Sequence, residues 1–351
     1  MASDPAAASD DTTKGRGFPR RILGGMETIV AALPTLAQIR QAAHEVYAVM
    51  PATPQYAWPL LSERIGCEVW VKHENHTPVG AFKIRGGIIY FNRLRERHDI
   101  TGAIGATRGN HGQSLAFNGT RTGIPVTVVV PHGNSPEKNA AMRALGAKIV
   151  EHGNDFQAAL EHAGVLAADE DRHFVPSYVP ELVCGVATYA LELFEHAPPL
   201  DAIYAPLGLG SGLAGLLAAR NGLNAATEII AVVAEGAPAY ARSVEARRIV
   251  EADAQTIADG MACRRPVAAA LDVLLTHGVR CVQVSDAEIE SAMRLLFSTT
   301  HNVAEGAGAA ALAAAHKDFA PDRRRVGVIL SGGNVDRDTY ARILAGESGR
   351  F

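Results

Sequence analysis

Short apolar runs rich in valine and isoleucine alternate with longer segments of helical spacing along most of the chain. Residues 229–234 (IIAVVA) and 326–330 (VGVIL) are two such runs, and neither contains a polar side chain. Continuous apolar strands are typical of a parallel sheet whose two faces are both covered. The alternation therefore predicts an α/β fold in which helices connect parallel strands.

Eight strands and nine helices are predicted after residue 34. The strands are residues 68–72, 103–106, 126–130, 148–150, 202–205, 229–234, 281–284 and 326–330. The helices are residues 35–50, 84–97, 113–122, 136–145, 155–168, 186–194, 212–220, 286–298 and 306–316. Ligand sites of parallel sheets lie at the carboxyl ends of the strands, so the residues that follow each run are the candidates for chemistry.

Composition excludes several classes of function. With 351 residues, the chain is long enough for one large or two medium domains. Its net charge of −4 argues against a nucleic-acid-binding protein, and no apolar run approaches the roughly 20 residues that span a bilayer. The four cysteines are far apart, which predicts thiols in a reducing, cytoplasmic compartment rather than disulfides or a zinc site. Residues 1–25 have no periodic apolar face and are expected to form a disordered N-terminal arm.

The first candidate motif is TPVGAFKIRGG at residues 77–87, where Lys83 stands just ahead of a predicted helix. Lys83 is one of only six lysines in the chain. A lysine that forms Schiff bases must be desolvated so that its pKa falls, and Phe82 can supply a dry wall. Taken alone, the motif is weak, because a lysine at a helix start is usually a solvated charge.

The second motif is TRGNHGQ at residues 107–113, which follows one predicted strand and opens a helix. The free N–H groups of a helix N-terminus bind anions, so a substrate carboxylate can dock there. The alternative is an ordinary loop between a strand and a helix, with the asparagine and glycines serving the turn.

The third motif, PLGLGSGLAG at residues 206–215, is again a strand, a glycine loop and a helix start. Glycines let the backbone approach a phosphate closely, and the helix dipole then favours the anion. Dinucleotide-binding folds use a similar loop, and Glu235 lies about 20 residues beyond it, so spacing alone does not exclude NAD. In the fourth motif, SGGNVD at residues 331–336, Ser331 follows the last predicted strand and can bond to an aromatic ring nitrogen, unless the segment is a simple turn.

Together the motifs offer an amine, a carboxylate site, a phosphate cradle and a partner for a ring nitrogen. Pyridoxal phosphate needs that set of partners. The sequence also resembles the fold-type II pyridoxal-phosphate enzymes of the threonine/serine dehydratase and serine racemase family. The matching strings span about residues 50–340 in the family's order: FKIRGG (82–87), GNHGQ (109–113), PLGLGSGLAG (206–215), TIADG (256–260), EGAGAAALAA (305–314) and SGGNVD (331–336).

The resemblance implies two three-layer αβα lobes of the tryptophan synthase beta-like type, with the cofactor between them. Residues 26–100 and 181–351 would form the large, cofactor-binding domain, and residues 101–180 the small one. The resemblance also suggests a homodimer.

The resemblance further implies a role for each residue of the four motifs. Lys83 would carry the cofactor and act as the base on Cα, and Phe82 would pack on the pyridine ring. Asn110 would bond to the ring's 3-oxygen and Ser331 would face its nitrogen. The phosphate would be held by Gly208, Leu209, Gly210, Ser211 and Gly212. The substrate carboxylate would be held by Thr107, Arg108, Gly109, Asn110 and His111.

The chain departs from the family pattern in three places. Arg108 stands where the family usually has serine or alanine, so little or no racemase activity is expected, because the racemases use a serine there. Arg108 can bind a second carboxylate, stack on an aromatic side chain, or simply pair with a structural acid.

Metal-dependent members have a second acid six residues after the position of Glu235, where this chain has Ala241, so no metal site is predicted. Only 15 residues follow Asp336, so a short form without a regulatory domain is expected.

The leading hypothesis is a pyridoxal-phosphate-dependent dehydratase, an ammonia-lyase that converts a 3-hydroxy amino acid to a 2-keto acid and ammonia. Threonine or serine is the default substrate, and phenylserine or 3-hydroxyaspartate is the alternative that Arg108 raises. A β-replacement synthase is a second hypothesis, although the loop reads RGNHGQ rather than the SGNTG type of the cysteine synthases. A cofactor-binding protein without catalysis is the third, and the presence of Lys83, Asn110 and Ser331 argues against it.

Overall fold

The computed structural model describes residues 32–346, and the predicted arm of residues 1–25 lies outside them. The strands are β1 (Gln55–Ala57), β2 (Glu68–His73), β3 (Ala103–Ala106), β4 (Val126–Val130), β5 (Lys148–Glu151), β6 (His173–Phe174), β7 (Ala202–Pro206), β8 (Glu228–Ala234), β9 (Cys281–Val284) and β10 (Arg325–Leu330). The helices are α1 (Leu36–Tyr47), α2 (Pro59–Ile65), α3 (Lys83–Arg95), α4 (Asn110–Thr122), α5 (Pro136–Ala144), α6 (Phe156–Asp169), α7 (Pro180–His196), α8 (Ser211–Gly222), α9 (Ala239–Ala246), α10 (Ala268–Thr276), α11 (Asp286–Thr300), α12 (Gly306–Lys317) and α13 (Arg337–Leu344).

The strands form two separate sheets. The larger has the order β1-β2-β10-β7-β8-β9, and only β1 runs antiparallel to its neighbour. The smaller has the order β5-β4-β3-β6 and is parallel throughout. All strands of the smaller sheet lie within residues 103–174, and the chain before and after them builds the larger one. The prediction of an α/β fold with two lobes is confirmed, while the boundaries 26–100, 101–180 and 181–351 stay a prediction.

Each sheet is covered by helices on both faces, because its central strands are apolar on both sides. In β7, Ala202 and Tyr204 pack into one core with α11 and α12, whereas Ile203 and Ala205 pack into another with α7 and α8. The smaller sheet is covered in the same way by α4 and α5 on one face and by α6 on the other. Burial on both faces explains why the strands read as continuous apolar runs.

All eight predicted strands are present, and each ends within one residue of its predicted bounds. The short strands β1 and β6 and the helices α2, α9, α10 and α13 are not among the predicted elements. Helix α10 (AAALDVLLT) is apolar on nearly every side, so it shows no amphipathic period. Helix α7 begins six residues before the predicted start, at Pro180, because a proline fits the first turn of a helix although it breaks the interior.

Residues at the carboxyl ends of β3, β7 and β10 line one pocket, together with residues of the segment after β2. None of the helices in the described part of the chain is long and apolar enough to cross a membrane.

Candidate active site

A single pocket is lined by residues from all four sequence motifs. Every residue for which a role was predicted lies on its wall: Phe82, Lys83, Thr107, Arg108, Gly109, Asn110, His111, Gly208, Leu209, Gly210, Ser211, Gly212 and Ser331. The structure thus brings together residues that are up to about 250 positions apart in the chain. The roles themselves stay predictions.

Lys83 is the first residue of α3, and its amine lies inside the pocket. The Nζ atom donates a hydrogen bond to Ser211 Oγ at 3.2 Å and lies 4.9 Å from the centre of the Phe82 ring. Burial lowers the pKa of Lys83 to about 8. The amine is therefore far more nucleophilic at neutral pH than a solvated lysine, as covalent catalysis requires.

The backbone around Lys83 is held from two sides. The N–H of Phe82 donates to the Ser331 carbonyl at 3.0 Å, and Ser114 Oγ donates to the Lys83 carbonyl at 2.8 Å. These bonds tie the start of α3 to the end of β10 and to α4.

The glycine loop between β7 and α8 is shaped for close approach by a ligand. Gly210 has φ of +100°, a conformation that favours glycine, and it directly precedes α8. A Cβ atom at Gly208 would lie 2.1 Å from the Gly260 carbonyl oxygen, so no side chain fits there. The loop therefore presents a bare backbone and a helix N-terminus to the pocket, which is the usual arrangement for a phosphate.

The loop before α4 presents a second helix N-terminus. Thr107 Oγ1 accepts the N–H of Gly109 at 2.9 Å, which fixes the turn. Burial lowers the pKa of His111 to about 3, so the imidazole is neutral. Its Nε2 atom is buried and has no hydrogen-bond partner among the described residues, which makes it available to a ligand.

Three charged residues of the pocket were not singled out from the sequence: Lys138, Asp259 and Glu305. Glu305 Oε1 accepts from Asn110 Nδ2 at 2.5 Å, and Lys138 Nζ lies 3.0 Å from Asp259 Oδ2 and 3.7 Å from Glu305 Oε2. Burial raises the pKa of Glu305, although Lys138 opposes the shift. For Lys138, burial lowers the pKa, but the two carboxylates outweigh it and the net shift is upward.

Asp259 and Glu305 lie within the TIADG and EGAGA strings, so the resemblance offered a signal for them. For Lys138, the sequence offered no signal except that the chain contains few lysines.

Arg108 lies at the edge of the pocket, about one third exposed, with Nε 3.6 Å from Asp259 Oδ1. Arg108 Nε is buried and makes no hydrogen bond to the described residues, so the contact with Asp259 is a loose ion pair. Glu235 pairs with Lys317 at 3.1 Å on the surface. No group of three or more metal-ligating side chains occurs within residues 32–346.

These features fit pyridoxal phosphate. The buried amine of Lys83 suits an aldehyde, the bare loop at residues 208–212 suits a phosphate, and Ser331 at the end of β10 can face a ring nitrogen. The unpartnered Nε2 of His111 is a further polar group directed at a ligand.

Comparison with known proteins gives the same result. A family model described as "Pyridoxal-phosphate dependent enzyme" matches residues 48–332. L-threonine ammonia-lyase of Thermotoga maritima is 31% identical over 88% of this chain and 78% of its own length. L-threo-3-hydroxyaspartate ammonia-lyase of Saccharomyces cerevisiae is 30% identical over 90% of this chain and 98% of its own length. The crystal structure of a threonine deaminase from T.th. superimposes with a TM-score of 0.80 at 30% identity, covering 86% of this chain and 99% of that one. The chain therefore belongs to the pyridoxal-phosphate-dependent enzymes of fold type II, and its cofactor is pyridoxal phosphate.

Proposed function

We propose that this protein is an ammonia-lyase that dehydrates a 3-hydroxy amino acid, with threonine or serine as the default substrate. The observation that carries the proposal is the buried amine of Lys83, whose pKa falls to about 8, in a pocket with two helix N-termini for anions. The two relatives named above catalyse reactions of this type according to their names, which supports the same reaction class here.

Each part of the pocket then has a defined task. When bound, pyridoxal phosphate supplies an electron sink for Cα of the amino acid. Lys83 would hold the cofactor, and its amine would take the proton from Cα of the substrate. The loop at residues 107–111 holds the substrate carboxylate at the N-terminus of α4, and the loop at residues 208–212 holds the phosphate at the N-terminus of α8.

Ser331, at the end of β10, would favour elimination. A serine hydroxyl, unlike a carboxylate, does not force the pyridine nitrogen to stay protonated, so the electron sink is weaker. A long-lived negative charge on Cα would then be disfavoured, which would favour a substrate whose Cβ carries a leaving group. A 3-hydroxy amino acid offers water as that leaving group, and the product hydrolyses to a keto acid and ammonia.

A narrower form of the proposal names 3-hydroxyaspartate as the substrate. Arg108 Nε has no hydrogen-bond partner among the described residues and lies at the pocket wall, so the guanidinium can receive a second carboxylate. The loose contact with Asp259 is the competing interaction that such a substrate must displace. Phenylserine is the corresponding substrate if Arg108 stacks on an aromatic ring instead.

The test is keto-acid release from the stereoisomers of threonine, serine, phenylserine and 3-hydroxyaspartate, without an added nucleophile. We expect turnover of at least one compound and none with Lys83→Ala. Product that forms only when a nucleophile is added would favour a β-replacement synthase instead. Cofactor binding without turnover of any compound would contradict the dehydratase.

Two finer properties belong to the same proposal. We propose a cytoplasmic location, which is supported by the four free cysteines of the described chain. We also propose a homodimer, which is supported by the family resemblance alone and is tested by light scattering of the purified protein.

A further inference from the structure

Four charged side chains are buried together beside α3, and none of them lines the pocket. They are Arg85, Lys72, Glu74 and Glu192, and none exposes more than 2% of its side chain. Arg85 Nε donates to Glu74 Oε2 at 2.7 Å, and Arg85 Nη1 donates to Glu192 Oε1 at 2.6 Å. Lys72 Nζ donates to the other oxygen of Glu192 at 2.5 Å. We call these four residues the buried ion network.

Hydrogen bonds to neutral groups complete the network. Arg85 also donates to Thr188 Oγ1 at 3.0 Å and to Thr53 Oγ1 at 3.2 Å. The formal charges are two positive and two negative, so they cancel. Burying four charges is nevertheless expensive, and well-packed apolar side chains usually stabilise a core as well or better. Stability alone therefore does not explain why the network is ionic. A requirement for one fixed orientation of α3 does explain it.

The start of α3 needs such an orienting contact. The helix has no side-chain N-cap and no acidic residue in its first turn. It touches α7 backbone to backbone, because a Cβ atom at Gly86 would lie 2.7 Å from the Leu182 carbonyl and one at Gly185 would lie 2.3 Å from the Arg85 carbonyl. The backbone hydrogen bonds at Phe82 and Lys83 hold the point where the helix begins, and the glycine contacts permit close approach, but none of these contacts engages a side chain of α3 that would resist rotation of the helix about its axis. The planar guanidinium of Arg85, clamped by two carboxylates from different segments, fixes that rotation.

We propose that Arg85 is a positioning residue, which through Glu74 and Glu192 sets the rotation of the first turn of α3 and so aims the amine of Lys83 into the pocket. This inference rests on the proposed function, because it requires Lys83 to be the residue that carries the cofactor. Arg85 is two residues beyond Lys83 in the same turn, so a rotation of the helix moves both together.

The role is geometric rather than electrostatic. Burial is the cause of the lowered pKa of Lys83, and the neutral network adds no charge to that effect. A variant that keeps the positive charge at residue 85 but loses the paired hydrogen bonds to Glu74 and Glu192 therefore tests the positioning role by itself. Arg85→Lys is that variant, since a lysine cannot reach both carboxylates with paired bonds.

The experiment compares the wild-type holoenzyme with Arg85→Lys. We expect kcat to fall about 10- to 100-fold, as a displaced catalytic group causes, while KM changes less than about 3-fold. The bound cofactor should remain at one per chain, but the circular dichroism of its visible band should weaken, because that signal reports the orientation of the cofactor. The pH at which the visible band changes should stay within about half a unit of the wild-type value, because the charge is retained.

Leu61→Ala is the control for a purely structural effect. Leu61 is buried in α2, away from the pocket, and its truncation lowers the free energy of unfolding without touching α3. Unchanged kcat and dichroism in Arg85→Lys, or losses no greater than those in Leu61→Ala at similar stability, would overturn the proposal. If Arg85→Lys does not fold, Thr188→Val removes one bond to the guanidinium and should lower kcat and the dichroism at least 3-fold more than Leu61→Ala does.

Lys83→Ala, assayed in parallel, separates this inference from the proposed function. Turnover that persists in Lys83→Ala refutes the assignment of Lys83 itself. Loss of turnover in Lys83→Ala with an unaffected Arg85→Lys refutes only the positioning role.

Discussion

The reactivity of Lys83 should depend on how well the pocket excludes water from its amine. The pH dependence of its reaction with the cofactor measures this effect. An isolated lysine has a pKa of 10.5, and burial lowers that of Lys83 to about 8. At pH 7 the neutral, reactive fraction of the amine is then about 10%, against about 0.03% for a solvated lysine. The burial is therefore worth about a 300-fold gain in reactive amine.

The perturbation is Phe82→Ser, which removes the aromatic ring 4.9 Å from the amine and admits water. The pKa of Lys83 should rise towards its solvated value, so the reactive fraction at pH 7 should fall, by up to about 300-fold. The assay follows the appearance of visible absorbance when pyridoxal phosphate is added to the cofactor-free protein, over a range of pH. The rate should rise about tenfold per pH unit below pH 8 in the wild type and level off above it.

The matched control is Phe319→Ser, which makes the same change at an exposed phenylalanine that does not line the pocket. Its pH–rate profile should coincide with that of the wild type. The midpoint of the profile separates a change in the pKa of Lys83 from a change in cofactor affinity. If Phe82→Ser only removed packing against the cofactor ring, attachment would be slower at every pH but the midpoint would not move. A wild-type midpoint near 10, or equal midpoints in Phe82→Ser and the wild type, would refute the reasoning.

Three further predictions concern single residues of the pocket. Lys83→Ala should abolish both turnover and the visible absorbance of the bound cofactor, and residual turnover would refute its assignment. Arg108→Ala should change the ranking of substrates in the keto-acid assay more than it changes cofactor content; an unchanged ranking would indicate that Arg108 only pairs with Asp259. Gly210→Ala should cost about 1–3 kcal/mol of stability in urea unfolding, because φ is +100° and the new Cβ would lie 2.5 Å from that of Ala270. A stability loss below about 0.5 kcal/mol would show that the loop relaxes.

The parts of the site that the sequence predicts are those that a local pattern determines. Ser331 directly follows β10 and Gly208 lies two residues beyond β7, and parallel strands bring their carboxyl ends to the same edge of a sheet. For these two apolar runs, the glycine or serine that follows the strand lines the pocket, and the sequence marks it without knowledge of the tertiary structure. The fold class follows from the same runs, since an uninterrupted apolar strand must be covered on both faces.

The charged contacts could not be predicted in this way, because each joins segments that are far apart in the chain. Lys138 meets Asp259 across 121 residues, and Asn110 meets Glu305 across 195. No periodicity relates such positions. Arg85 is the clearest case, because an arginine in a helical pattern is normally exposed. Its complete burial depends on partners from the turn after β2 and from α7, which only the folded chain assembles.

Two groups of charges, one around Arg85 and one in the pocket, each cancel formally, and burial is the cause of the lowered pKa of Lys83. The buried ion network beside α3 has two formal positive and two formal negative charges. Across the pocket, Arg108 and Lys138 are balanced by Asp259 and Glu305. A net positive charge would lower the pKa of Lys83 further but would also hold anions other than the substrate, and a net negative charge would keep the amine protonated. Because each group is neutral overall, burial alone lowers the pKa of Lys83. The charged side chains then serve to orient their neighbours. The proposal assigns the activation of Lys83 and its placement to separate residues: Phe82→Ser should move the midpoint of the pH–rate profile for cofactor attachment, whereas Arg85→Lys should leave unchanged the pH at which the visible band changes.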